Sequence, residues 1–306
     1  MKVNKLKPGD TIGFLIPSSK FNMDDSRIKN LEKYLNDFGL KIKYGKTCSS
    51  SYGYLAGTDQ ERISDIEEMF SDPNISAIVC MKGGYGAGRI VDKIDYEIIK
   101  NNPKLFIGFS DITIFLNCIY QKTSIPTIHG LVGIFLGHPN IDSFSVNDFK
   151  TLLFENTKGR ILKNPNDNCK TLVGGVSEGV LVGGNIMLVT NLIGSDYDID
   201  MTDKILFLEE VNEKPYSIDR MLCQLRLSKR FEQLKGIIFG HFTNCTNEEG
   251  FTTDEVIEQY CQDLKIPVIT HFASGHEFPF INLPIGVKVR LDADNKNIEI
   301  LEEIYN

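Results

Sequence analysis

Short apolar runs that each break on small residues and then give way to helical spacing fill the N-terminal half, and this alternation is what most restricts the fold. Thr11-Ile12-Gly13-Phe14-Leu15-Ile16-Pro17 ends at Ser18-Ser19. Ile75-Ser76-Ala77-Ile78-Val79-Cys80-Met81 leads into Lys82-Gly83-Gly84-Tyr85-Gly86-Ala87-Gly88-Arg89, and Phe106-Ile107 into Gly108-Phe109-Ser110-Asp111. Between these runs, Ile28, Leu31, Leu35 and Phe38 recur at helical spacing within 24–38, and Gly39 is a natural stop. Thr58 with Glu61 forms a capping box ahead of Ile63, Ile66, Met69 and Phe70. Residues 40–44 alternate like an edge strand, 90–99 have helical content, and 111–120 read as a further helix. Strand alternating with helix implies an α/β fold, a parallel sheet with helices on both faces. Ligands bind outside the carboxyl ends of such strands, where the glycine turn and Ser110 both lie.

The pattern changes between 140 and 172, where Asn156-Thr157-Lys158-Gly159 and Asn164-Pro165-Asn166-Asp167-Asn168 are polar and turn-rich. We therefore expect a first domain over 1–150, a linker over 151–172 and a second domain over 173–306. A chain of 306 residues has room for two. The second half mixes strands at 180–182, 204–209, 236–240 and 267–270 with helices at 186–193, 218–227 and 252–264. A hairpin across Asp292-Ala293-Asp294-Asn295 closes it.

Hydrophobic content of 42% and charged content of 24% describe a soluble globular protein, and a net charge of -8 argues against nucleic acid and against an anionic membrane surface. The apolar run after the basic start is too short for a signal peptide, and no stretch approaches a membrane span, so a cytoplasmic protein is expected. The seven cysteines (48, 80, 118, 169, 223, 245 and 261) are odd in number and form no CxxC pair, which points to reduced thiols. No HExxH and no helical histidine pair occur, so no metal site is expected.

Ser110 sits on a tight strand-to-helix turn, which presents a hydroxyl to the unpaired first amides of the helix, the geometry of a nucleophile. Ser and Asp are also common N-caps, and that reading stays open here. In the second half, Glu209 and Glu210 end an apolar strand, with Glu213 soon after. Period two puts the first pair on opposite faces, so only one can face a given pocket; a solvated acidic rim is the alternative. Among the histidines, His276 lies in the small-residue loop Ala273-Ser274-Gly275-His276 after a strand, His129 is a core or pocket-lining residue, His241 and His271 read as satisfied structural residues, and His138 reads as surface. A serine, a glutamate and a histidine on separate strand ends are the parts of a hydrolase triad.

These motifs, taken in order, resemble the LD-carboxypeptidases of serine peptidase family S66, which includes the microcin C immunity proteins. The likeness rests on Lys7-Pro8-Gly9-Asp10-Thr11, Pro17-Ser18-Ser19, Lys82-Gly83-Gly84-Tyr85-Gly86 with Arg89, Ile107-Gly108-Phe109-Ser110-Asp111-Ile112-Thr113 and Ile128-His129-Gly130. It continues through Gly183-Gly184-Asn185, 206–213, Pro215-Tyr216-Ser217-Ile218-Asp219-Arg220, Gly275-His276 and Leu283-Pro284-Ile285-Gly286. Lys82 stands where the family turn carries arginine. The resemblance implies a flavodoxin-like N-terminal domain and a swivelling β/α C-terminal domain with the site between them, a homodimer, and no cofactor. It makes Ser110 the nucleophile, His276 the base and Glu209 its orienting carboxylate, with Glu210 and Glu213 as nearby rivals. The oxyanion hole would be the Asp111 amide plus one from Gly83 or Gly84, where glycine lets backbone approach substrate.

The implied reaction cuts the L,D amide between a diamino acid and a terminal D-alanine, as in a murein tetrapeptide. Lys82, Arg89 and Arg220 are candidates for the terminal carboxylate, each with a structural ion pair as the alternative. The rival within the family is a peptidase cutting aminoacyl-adenylate conjugates. Its members stack the base on an aromatic, often tryptophan; this chain has none, although Tyr85 or a phenylalanine would serve. A phosphate-ligand binding module built on the glycine turn is the reading outside the enzyme class.

Overall fold

The computed structural model describes residues 1–247 and 250–306, which form two compact units. The first comprises Met1–Asn156, Asn282–Gly286 and Glu303–Asn306; the second comprises Thr157–Ile281 and Val287–Glu302.

The first unit runs β1 (Thr11–Leu15), α1 (Arg27–Asp37), β2 (Lys41–Tyr44), α2 (Asp59–Ser71), β3 (Ala77–Cys80), α3 (Tyr96–Asn101), β4 (Leu105–Gly108), α4 (Thr113–Thr123), β5 (Thr127–His129), α5 (Gly133–Leu136) and α6 (Ser143–Phe154). Its sheet places β2 beside β1, then β3, β4 and β5, all parallel. This is the flavodoxin-like order, whose switch point falls between β1 and β3. Every residue of β3 and β4 is buried, which is why these strands read as continuous apolar runs, whereas the edge strand β2 alternates. The Thr58–Glu61 capping box is present at α2. Of the helical stretch expected over 90–99 only 96–99 is α-helix, as part of α3, which starts where the Asp95 side chain caps Glu97.

The second unit contains β6 (Ile161–Lys163), β7 (Lys170–Val173), β8 (Val176–Asn185), α7 (Ile186–Asn191), β9 (Lys204–Val211), α8 (Pro215–Leu227), β10 (Gly236–Thr243), α9 (Thr253–Cys261) and β11 (Val268–Thr270). The chain then adds β12 (Leu283–Ile285) to the first unit before returning for the hairpin β13 (Lys288–Asp292) and β14 (Asn297–Ile300). In the second sheet β8, β9, β10 and β11 are parallel, while β13, β14, β6 and β7 run antiparallel on the flanks.

Two features of the expected domain map are corrected. Residues 151–172 are not a linker: α6 extends to Phe154, the division follows Asn156, and β6 and β7 are the outermost strands of the second sheet. β6 buries only its middle residue, and such half-exposed edges carry the polar composition of a loop. Nor do residues 173–306 form one continuous domain, because β12 pairs antiparallel with β5, Leu283 opposite His129. A three-residue strand is too short for periodicity to reveal. No helix among the described residues is long and apolar enough to cross a membrane.

Candidate active site

Strand β4 delivers Ser110. Gly108 closes the strand where a β-carbon would lie 2.7 Å from an Ile112 methyl. Phe109 is extended, and Ser110 then adopts φ +64°, the left-handed region that a side chain rarely enters. One 3-10 turn, Ser110–Ile112, leads directly into α4. This is a strained strand-to-helix elbow, and Ser110 is not the helix cap that its residue type also allows: Phe109 precedes the 3-10 turn and Ile112 caps α4.

The turn after β3 lies against that elbow. A β-carbon on Gly83 would fall 2.9 Å from Ser110 Cβ and 3.1 Å from its Oγ, so only glycine fits. Gly84 has φ +125°, and a β-carbon there would meet Ser19 Oγ at 2.5 Å. Among the described residues, neither the Gly83 nor the Gly84 amide donates to a protein acceptor. These amides and that of Asp111, at the start of the helix, supply donors beside the serine.

The Asp111 side chain has a role that sequence reading missed. Its buried Oδ2 accepts from Ser18 Oγ at 2.5 Å and from the Ala87 amide at 2.9 Å, which ties together the loops after β1, β3 and β4. Burial raises its pKa, against the lowering effect of those hydrogen bonds and of the Arg62 charge. Arg62 was missed as well. Fully buried on α2, it donates Nη1 to the carbonyls of Pro17 (2.5 Å) and Gly86 (2.8 Å) and Nη2 to Asp59 (2.7 Å). The available signal was its place on the inward face shared with Ile66 and Met69.

The expected carboxylate-binding cations are differently placed. Arg89 pairs with Asp59, which also takes Arg62 and Lys93. Half-buried Lys82 reaches the Lys20 carbonyl at 3.5 Å; burial, then the Arg27 charge, lower its pKa. Arg220, on α8, lies over the Tyr216 ring at 5.6 Å. Tyr85 is exposed, with its ring 5.7 Å from that of Tyr54 and its amide bonded to Ser19 Oγ at 2.9 Å.

In the second unit, β9 continues past its apolar core and buries both Glu209 and Glu210. Glu209 Oε2 lies 2.7 Å from His276 Nδ1. The loop that carries His276 is fixed by its backbone: His241 N donates to Ser274 O (2.8 Å) and Ile281 N to Ala273 O (2.6 Å). Gly275 has φ +137°, and a β-carbon there would press on His241 and on Glu209 Oε2. Burial alone would lower the His276 pKa, but the charge and hydrogen bond of Glu209, with the charge of Glu210, hold it above its ordinary value. With Nδ1 on the carboxylate, proton transfer falls to Nε2.

Glu210 faces other partners, accepting from Asn185 Nδ2 (2.7 Å), Val211 N (2.8 Å) and Met187 N (3.2 Å). Burial, then the charge of Glu209, push its pKa up to about 7. Glu213 lies beyond β9, in the loop before α8. His129 is a core residue, its ring 5.7 Å from that of Phe109. His241 departs from the expected satisfied residue, since its buried Nδ1 has no hydrogen-bond partner. His271, at φ +56°, pairs with Asp254 at 2.9 Å. Among the described residues, no three His, Cys, Asp or Glu side chains converge as metal ligands.

Residues 12–130 match the family model for the LD-carboxypeptidase N-terminal domain, and residues 178–291 match that for the LD-carboxypeptidase C-terminal domain. A probable murein peptide carboxypeptidase of Bacillus subtilis (strain 168) is 36% identical over 303 residues, 98% of this chain and 94% of that protein. The microcin C7 self-immunity protein MccF of Escherichia coli is 30% identical over 327 residues, 97% of this chain and 96% of that protein. A solved structure of MccF in complex with aspartyl sulfamoyl adenosine has a TM-score of 0.92 at 28% identity, covering 100% of both chains.

Proposed function

The chain belongs to the LD-carboxypeptidase family of serine peptidases, and from that premise we propose that it removes D-alanine from murein tetrapeptides by cutting the L,D amide that joins it to the diamino acid. Ser110 is the nucleophile, His276 the general base and Glu209 the carboxylate that orients it. His276 Nε2 takes the Ser110 proton as Oγ attacks the carbonyl carbon, and the oxyanion is met by the amides of Asp111 and of Gly83 or Gly84. The imidazolium then protonates the D-alanine nitrogen, the amide C–N bond breaks, and an acyl-enzyme remains. Water, deprotonated by His276, releases the tripeptide and restores the serine.

The buried Glu209–His276 contact at 2.7 Å carries this reading, because it gives the imidazole the tautomer and the raised basicity that a serine hydroxyl requires. Incubation with L-Ala-D-Glu-meso-diaminopimelate-D-Ala tests it: free D-alanine is expected, and its absence refutes the substrate. A second reading, an aminoacyl-nucleotide peptidase, is favoured by the exposed Tyr54–Tyr85 ring pair beside the Gly83–Gly84 turn, which offers a face for a base. Parallel incubation with an aminoacyl adenylate analogue separates the two. Action in the cytoplasm as a homodimer completes the proposal, and light scattering in solution tests the assembly.

A further inference from the structure

Strands β10 and β11 pair in parallel as far as Ile238 opposite Ile269, and the chain past β11 continues beside β10 as the loop that holds His276. The inner edge of that loop is bonded to β10: Phe272 N donates to Phe239 O at 3.0 Å, and His241 N donates to Ser274 O at 2.8 Å. On the outer edge, β7 covers β11 only as far as Lys170, opposite Thr270.

The two backbone groups that follow on the outer edge, the His271 carbonyl and the Ala273 amide, are met by one side chain. Asn164 Nδ2 donates to His271 O at 2.8 Å, and Asn164 Oδ1 accepts from Ala273 N at 2.8 Å. A carboxamide carries both an acceptor and a donor, so it pairs with a strand edge as a peptide group would. Asn164 is 8% exposed and precedes Pro165, which disfavours a helical backbone at Asn164. The polar run 164–168, which reads as a linker in the sequence, thus contributes a buried amide committed to the loop.

The segment held in this way is short and hemmed in. Phe272, Ala273 and Ser274 are buried, and Ser274 Oγ donates to Ile281 O at 2.9 Å. Gly275 turns at φ +137°, where a β-carbon would lie 3.2 Å from Glu209 Oε2. His276 follows at once, with Nδ1 2.7 Å from that same oxygen. A shift of the backbone at 271–273 is therefore passed on to the imidazole.

We propose that Asn164 is a positioning residue for His276: its carboxamide takes the place of a strand partner and so sets the imidazole against Glu209. The inference rests on the triad reading above, in which His276 is the base. Asn164 acts through the loop backbone.

The test compares the wild type with Asn164→Ala, with Asn164→Leu, and with Leu291→Ala, a buried deletion on β13 of the same sheet. NMR titration of the His276 ring gives its pKa, and steady-state kinetics on the tetrapeptide give kcat and KM. In Asn164→Ala the loop loses both bonds and the Glu209 contact loosens. The His276 midpoint should then fall, because the Glu209 charge and hydrogen bond raise it. The kcat should drop on the order of 10²-fold with KM little changed, the usual effect of misplacing a reacting group by about 1 Å. Asn164→Leu removes the same bonds while filling the space, should shift both readouts in the same direction, and keeps the test open if the alanine variant does not fold. Leu291→Ala should lower Tm, as a core cavity does, and leave the His276 midpoint and kcat at wild-type values. A wild-type midpoint in a folded Asn164 variant overturns the proposal, as does an equal shift in Leu291→Ala. Should the wild type release no D-alanine, the substrate reading fails; should His276→Ala keep full turnover, the triad reading fails. In either case the His276 midpoint still decides whether Asn164 sets the imidazole.

Discussion

Glu209 and Glu210 are neighbours on one strand, yet their carboxylates reach different partners: Glu209 meets His276 Nδ1 at 2.7 Å, while Glu210 holds Asn185 at 2.7 Å. Strand alternation forces this division, and it chooses between acids that are equivalent in composition. Glu209→Gln is expected to lower kcat on the order of 10³–10⁴-fold, as loss of a triad carboxylate does. Glu210→Gln should lower it about tenfold or less. Steady-state rates of both purified variants check this, and equal losses would contradict the assignment.

The pH profile follows from the raised His276 pKa. A general base must be neutral, so kcat/KM should climb through a midpoint above 6.5, the ordinary histidine value. Glu209→Gln removes the charge and the charged hydrogen bond that do most to raise the pKa, leaving burial, which lowers it, against the smaller raising effect of Glu210. The residual activity of that variant should rise at a lower pH than that of the wild type.

Glu210 links stability to pH with the opposite sign to most carboxylates. Its folded pKa of about 7 lies above the ordinary value of 4.5, so between these the native state holds a proton that the unfolded chain has released. Its contribution is therefore complete below the lower value and is lost as pH rises through the upper one. Glu210→Gln cannot titrate. The Tm difference between variant and wild type should change by on the order of 5 °C between about pH 5 and about pH 8, as calorimetry would show.

Gly83→Ala tests the close approach at the elbow. The added methyl would stand 2.9 Å from Ser110 Cβ, so the turn must withdraw and take its amides with it. A fall in kcat of roughly 10²–10³-fold is expected, the usual effect of losing an oxyanion donor, with little change in Tm. Unchanged turnover would remove this turn from the oxyanion hole.

Arg62→Ala should act on stability and loop position together. It strands the carbonyls of Pro17 and Gly86, each of which loses a buried charged donor. A loss of roughly 3–5 kcal/mol is expected, measurable by urea unfolding.

Much of the site can be read from the residues, and the reason is physical. Gly83, Ser110 and Gly275 stand at backbone geometries or close approaches that few residue types tolerate, so their identities report their surroundings. The Thr58–Glu61 capping box is legible for the same reason, because both partners lie within one turn. Asp111 and Arg62 escaped notice as scaffold because their partners, Ser18, Ala87, Pro17 and Gly86, are distant in sequence and two of them contribute only backbone carbonyls. β6, β7 and β12 were hidden by length, since strands of three or four residues carry almost no period. His241 and His271 read as structural residues because the cavity they line is built from β10, β11 and α9, which only folding brings together.

The central claim is that the Ser110 hydroxyl performs the attack, and it is tested most directly by following D-alanine release from the tetrapeptide with wild type and Ser110→Ala side by side. Steady release by the wild type and a loss on the order of 10⁴–10⁶-fold in the variant are expected. A Ser110→Ala protein that is folded and still releases D-alanine at near wild-type rate would contradict it.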